Sequence, residues 1–168
     1  MLKLVRSYLG RLFLLLKFPL LVKIIPYQQE FPHTCAVACL RIVAEYFGVL
    51  RIESELIPLC ETTLDGTTPE NLAYAARHLG LSATITYDEP AILSESLSRQ
   101  QPVIVFVGIP SPQIPEDIDI HAVVVTDLSL QEISFIDPLD GLEHTLQRTD
   151  FFKQWENAFH IAILIGPI

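Results

Sequence analysis

Four side chains in this sequence have the types and the spacing to act together on a carbonyl: Gln29, Cys35, His121 and Asp137. Cys35 stands where a polar loop, residues 29–34, gives way to a helical pattern set by Val37, Leu40, Ile42, Val43, Tyr46 and Phe47. Thr34 fits an N-cap and Gly48 a C′ residue, which puts Cys35 in the first turn of that helix. A helix N-terminus presents unpaired N–H groups and roughly half a positive charge, and both favour the thiolate, the nucleophilic form of cysteine. Upstream, Gln29 brings an amide donor of the kind that stabilises an oxyanion beside the sulfur.

The imidazole and the carboxylate follow from strand arithmetic. Residues 120–128 and 132–137 read as two strands joined by a tight turn. A turn centred on Ser129 sets Val125 opposite Ile133, Val123 opposite Phe135 and His121 opposite Asp137, all on one face. Opposed Cβ atoms in an antiparallel pair lie about 4.5–5.5 Å apart, near enough for a carboxylate to hold an imidazole. A slip of one residue breaks that pairing. A thiolate, an imidazole oriented by a carboxylate and an amide donor are the parts of a Cys–His–Asp hydrolase. Each also has a structural reading: a buried cysteine, a solvated glutamine, a strand-start histidine, and an aspartate shaping the turn before Pro138.

The elements that must position these residues come next. A short helix is expected over 51–59, ending near Pro58, with Cys60 simply packed. Thr67-Thr68-Pro69-Glu70 is a helix-start signal, followed by the buried stripe Leu72, Ala75, Ala76 and Leu79 and the stop at Gly80. Residues 81–87 alternate like a half-buried strand, and 91–99 form a short helix with Leu93 and Leu97 facing in. Residues 102–108 are a nearly continuous apolar run, hence a buried central strand. Residues 109–119 hold Pro110, Pro112 and Pro115 with three acids and read as a loop leading to His121, either the rim of a site or a plain surface connection. A short helix over 149–155 and a closing strand over 159–165 complete the chain.

Composition sets the outer bounds. Half of the 168 residues are hydrophobic, and residues 26–168 suffice for one domain with its own core. Three cysteines cannot all pair, and Cys35 and Cys39, one turn apart, are poorly placed to bridge each other. A reducing compartment, the cytoplasm, is expected. Residues 1–25 hold Lys3, Arg6, Arg11, Lys17 and Lys23 and no acid. Lys17 interrupts the longest apolar run, Pro19 stops or kinks the helix, and no small-residue cleavage site follows Val22. This basic amphipathic segment reads as one that docks at the inner face of a membrane or on a partner, or that packs on its own domain. The remaining residues carry 6 basic and 20 acidic side chains, which argues against a nucleic-acid partner. No cofactor is called for: there is no phosphate-cradling glycine loop. His33, Cys35 and Cys39 lack the second His/Cys cluster of a metal site.

The order Gln29, Cys35, His121, Asp137-Pro138, Gly141 resembles the cysteine peptidases that process double-glycine leader peptides of bacteriocins. The likeness extends to Phe47-Gly48 at the end of the cysteine helix, Gly66-Thr67-Thr68 before a helix ending in Leu79-Gly80, the strand led by Pro102, and the run from His121 to Trp155. It spans residues 29–165. Thr34 and Ala36 stand where that family commonly has an acidic residue and a glycine, which touches substrate preference more than the nucleophile. The resemblance implies an α+β, papain-like fold, with N-terminal helices packed on a mostly antiparallel β-sheet. It implies Cys35 as nucleophile, His121 as proton carrier, Asp137 as its orienting group, Gln29 with the Cys35 N–H as oxyanion hole, and a leader peptide as substrate. In that family the domain is normally the N-terminal part of a peptide-exporting ABC transporter. No transporter segments follow here, so a stand-alone domain is expected, tethered to membrane or exporter through residues 1–25. Two other functions fit the same scaffold: an acyl transferase, and a non-catalytic module that binds leader peptides. The second is disfavoured because all four residues are kept.

Overall fold

Small residues let the first helix sit deep. α1 (Cys35–Tyr46) buries Ala36 through Leu40 together with Ile42, Val43 and Ala44. Gly48, at φ 83°, ends the helix and donates its N–H to the Glu45 carbonyl at 2.9 Å, the C′ role expected of it. Thr34 occupies the N-cap position but makes no side-chain cap. Its backbone (φ −108°, ψ 19°) lies outside the extended region that aims an N-cap oxygen at the helix. The hydroxyl turns back instead and donates to the Phe31 carbonyl at 2.9 Å.

The structure, a computed structural model, describes residues 24–87, 90–111, 114 and 116–168. The reading of residues 1–25 as a basic amphipathic segment falls almost wholly outside them. After α1 come α2 (Glu53–Leu59), α3 (Pro69–His78), β1 (Leu81–Thr86), α4 (Ala91–Ser98), β2 (Val103–Pro110) and β3 (Ile118–Leu128). β4 (Glu132–Asp137), β5 (Leu142–Gln147), α5 (Arg148–Glu156) and β6 (Ala162–Pro167) follow. Thr68 caps α3 by accepting the Asn71 N–H at 3.2 Å, with Pro69 at the first helical position.

The six strands form one antiparallel sheet in the order β1-β6-β2-β3-β4-β5. α1, α2 and α3 cover one face, where Ile104, Phe106, Ala122, Val124 and Ile136 meet Val37, Leu40 and Leu56. α4 and α5 cover the other, where Val103, Val105, Val107, Val123 and Val125 meet Leu93, Phe151 and Trp155. β2 is therefore buried on both sides, which is why its sequence shows no alternation. Trp155 is fully buried and its indole N–H is satisfied by the Ile161 carbonyl at 3.0 Å.

The β3–β4 hairpin departs from the expected register. Leu128 pairs with Ile133, so the connection is centred between Leu130 and Gln131 and not on Ser129. The register then shifts between Val125 and Asp127, where Thr126 is the extra residue of a bulge. Beyond it Val125 faces Phe135 and Val124 faces Ile136. The later turn moves the pairing by three and the bulge takes back one, so the net slip is two and the faces are preserved. Continued one pair further, this register sets Asp137 against Val123, with His121 on the diagonal. Two further differences concern boundaries. Pro110 pairs with Ile118, so the expected loop 109–119 shrinks to residues between those two. β5, an element not expected from the sequence, is an edge strand paired to β4 from Glu132↔Gln147 to Asp137↔Leu142.

Candidate active site

Cys35 is the first residue of α1 and is partly exposed, while Cys39, one turn on, is fully buried. β3 packs along α1, and it brings His121 close enough to Cys35 for the imidazole and the sulfur to influence each other's protonation. His121 Nε2 lies 2.7 Å from an Asp137 carboxylate oxygen, with 12% and 23% of the two side chains exposed. Diagonal neighbours across an antiparallel pair are about 7–8 Å apart at Cα, and the imidazole is long enough to span that gap. With Nε2 held by the carboxylate, Nδ1 is the ring nitrogen left to serve the sulfur.

Electrostatics follow from this packing. Burial works to raise the Cys35 pKa, but the hydrogen bond and charge of His121, with the N–H groups of Ala122 and Ala36, outweigh it and hold the thiol below its ordinary value. Burial works to lower His121, and the Asp137 carboxylate and the Cys35 sulfur overcome it, lifting the imidazole to about 9. Asp137 is pushed up by burial and held down, in net, by His121, the Leu139 N–H and the charge of His144. All three directions favour a thiolate–imidazolium pair leaning on a carboxylate at neutral pH. Iodoacetamide at pH 7 is therefore expected to label Cys35 at least ~10-fold faster than the other two thiols. Cys39 is buried and raised well above the ordinary value, and burial pushes Cys60 up to about 12. Peptide mapping by mass spectrometry reads the order of labelling, and first modification at Cys39 or Cys60 contradicts this account.

Gln29 is held from both sides of the site. Its N–H donates to the Pro138 carbonyl at 2.7 Å, and Gln28 Nε2 donates to the Leu139 carbonyl at 3.1 Å. The segment before the cysteine is thereby stitched to the turn after Asp137. That turn is tight: Leu139 N–H returns to the Asp137 carboxylate at 2.8 Å, and Gly141 N–H to the Asp137 carbonyl at 2.8 Å. Gly141 takes φ 70°, and a Cβ there would stand 2.9 Å from the Gln28 nitrogen, so the close approach needs glycine. The Gln29 Nε2 donates to the Phe31 carbonyl at 2.6 Å, which fixes the nitrogen end of the amide and leaves its second N–H. Gln29 Oε1 is buried without a hydrogen-bond partner.

Two further groups lie near these residues. Glu53 opens α2 and is fully buried, its two carboxylate oxygens each 3.1 Å from the Glu30 nitrogen. His144 on β5 lies 2.9 Å from Asp140 and stacks on Phe135. The Asp140-Gly141 pair between two short runs is a hairpin signal, and it could have exposed β5 and with it His144. A separate cavity of about 630 Å³ lies by the other end of α1, lined by Tyr46, Leu97, Thr126 and Glu143 among others, and none of the four expected residues lines it.

An α+β layout with a cysteine at the start of a helix and a histidine–aspartate pair on the adjoining sheet is the architecture of papain-like cysteine peptidases. The Peptidase C39 family matches residues 23–165, and the chain belongs to it. The pediocin PA-1 transport/processing ATP-binding protein PedD of Pediococcus acidilactici is 32% identical over 135 residues, 79% of this chain and 17% of that protein. The transport/processing ATP-binding protein ComA of Streptococcus pneumoniae strain R6 is 30% identical over 134 residues, with the same coverage. The chain thus spans about one sixth of the length of these curated relatives. Among solved structures, the peptidase domain of Streptococcus ComA shares the fold at TM-score 0.72 and 22% identity, covering 87% of this chain and 100% of that one. A double glycine motif protease from an AMS/PCAT transporter, in complex with the leader peptide, matches at TM-score 0.68 and 20% identity, over 88% and 94%. Among the described residues no helix is long and apolar enough to cross a membrane.

Proposed function

We propose that this C39 peptidase cuts leader peptides of the double-glycine type, with Cys35, His121, Asp137 and Gln29 as its catalytic residues. The observation that carries the reading is the contiguous chain Cys35–His121–Asp137, closed by the 2.7 Å imidazole–carboxylate bond. The Cys35 thiolate attacks the scissile carbonyl, forming a C–S bond and an oxyanion. That oxyanion is received by the free N–H of Gln29 Nε2 and by the Cys35 N–H, which lies in the first turn where the helix offers it no acceptor. Collapse breaks the C–N bond, and the imidazolium gives its proton to the departing amine. Water then attacks the thioester, His121 takes its proton, and release of the acid restores the thiolate–imidazolium pair. Asp137 holds Nε2–H throughout and keeps Nδ1 turned to the sulfur.

The substrate class is supported by the relatives, which are processing transporters and a protease bound to a leader peptide. It is also supported by the exposed apolar residues Phe31, Ile118, Ile120 and Leu139, close in sequence to Gln29, His121 and Asp137 and suited to an extended peptide. A peptide exporter is the partner this reading implies. Incubation with a panel of synthetic leader peptides, with products identified by mass spectrometry, is the test. Cleavage directly after Gly-Gly is expected, and peptides with either glycine replaced by valine should be cut at least ~100-fold more slowly. Indifference to the glycines overturns the substrate class. Products carrying an added amine in place of water point to acyl transfer.

A further inference from the structure

Glu53 is the one fully buried carboxylate among the described residues, and no step above uses it. Its position is specific. Both oxygens receive the Glu30 N–H, at 3.1 Å each. Thr34 is itself fully buried and closes the 31–34 turn in both directions, donating to the Phe31 carbonyl at 2.9 Å and accepting the Phe31 N–H at 3.2 Å. The Phe31 carbonyl also receives Gln29 Nε2 at 2.6 Å. The Glu53 carboxylate therefore holds the backbone at Glu30, between Gln29 and Phe31, while the Gln29 amide and the Thr34 hydroxyl meet on the Phe31 carbonyl. Thr34, which closes this turn, immediately precedes Cys35.

Burying a carboxylate is costly unless hydrogen bonds satisfy it, and burial does push this carboxyl above its ordinary pKa against the bond from the Glu30 N–H. An apolar side chain would fill the α2–loop contact without that cost. What a carboxylate adds is two acceptors aimed at the Glu30 N–H. Glu30 itself faces outward, its carboxylate 2.7 Å from the Tyr27 hydroxyl and 3.8 Å from Arg41, so this second acid does not share the task. We propose that Glu53 is a positioning residue of the peptidase site, clamping residues 30–34 so that the Gln29 amide and the start of α1 are held at a fixed separation across the oxyanion. The inference rests on the catalytic reading given above.

An oxyanion hole and a nucleophile can be read separately. A leader-derived peptide aldehyde ending in Gly-Gly adds to the thiolate and presents an oxyanion, so its inhibition constant reports the hole. Iodoacetamide alkylation of Cys35 reports the thiolate and needs no hole. Glu53→Gln keeps the shape and one acceptor but turns an NH2 against the loop donors. It is expected to weaken aldehyde inhibition about 10-fold and to lower kcat similarly, with KM and the alkylation rate within about 2-fold of the parent. Thr34→Val should move the same readouts in the same direction, and carries the test if Glu53→Gln does not fold by circular dichroism. Unchanged aldehyde inhibition in the variants overturns the inference alone. A parallel fall in alkylation and inhibition also overturns it, because a general loosening of the fold would do that. A parent protein that alkylates at Cys35 yet ignores the aldehyde overturns the leader-peptidase reading, and the positioning role with it.

Discussion

Cys35→Ala is expected to abolish leader cleavage, a loss of about 10⁴-fold or more in kcat, with secondary structure and solubility unchanged. The size of the effect follows from the absence of a substitute nucleophile. Cys39 is on the next turn but fully buried, and its thiol is held protonated by burial and by the charges of Cys35 and Asp137. Cys60 is buried and raised to about 12. The fold should tolerate the change because Cys35 is partly exposed at a helix start, and alanine is the best helix former. Binding should survive as well, since the loop 29–34 and the exposed apolar rim do not depend on the sulfur. The expected signature is a protein that still competes for leader peptide but returns no product in a single-turnover assay. Residual cleavage within 100-fold of the parent would place the nucleophile elsewhere.

β2 was legible in the sequence because it is buried on both faces and so carries an unbroken apolar run. α1 was legible because its stripe and its C′ glycine agree with each other. The His121–Asp137 contact was anticipated through a wrong register. The expected direct opposition is in fact a diagonal, reached because a late turn and a bulge at Thr126 combine to an even slip. Odd slips invert a strand's faces and even ones do not, so the shared face was the sturdier part of that expectation. β5 was missed because an exposed edge strand has no buried face to write alternation into its sequence, as its polar Glu143, Thr145 and Gln147 show. Glu53 was missed for a different reason. An acid in the first turn of a helix is ordinary dipole chemistry, and only the packing of α2 against the loop before Cys35 reveals that this one is buried.

Asp137 gives the second large effect, and two substitutions separate what it contributes. Asp137→Ala removes both the orienting acceptor and the charge, and about a 10³-fold loss in kcat is expected near neutral pH. Asp137→Asn keeps an oxygen that can accept Nε2–H, so the ring stays aimed, but it gives up the charge that lifts His121. Its loss should be nearer 10- to 100-fold, and the pH at which Cys35 becomes half-alkylated at a fixed time should move up toward that of an ordinary thiol. The stability dependence has a defined window. The lowered pKa of Asp137 stabilises the fold above its ordinary value of 3.8 and ceases to do so as pH falls through the lower folded value. The raised pKa of His121 stabilises the fold fully below 6.5 and is lost as pH rises through about 9. The two contributions overlap between roughly pH 4 and 6.5, so the Tm gap between parent and Asp137→Asn should be widest there and shrink toward pH 9. A gap independent of pH over that range would mean that packing, and not charge, is what Asp137 supplies to the pair.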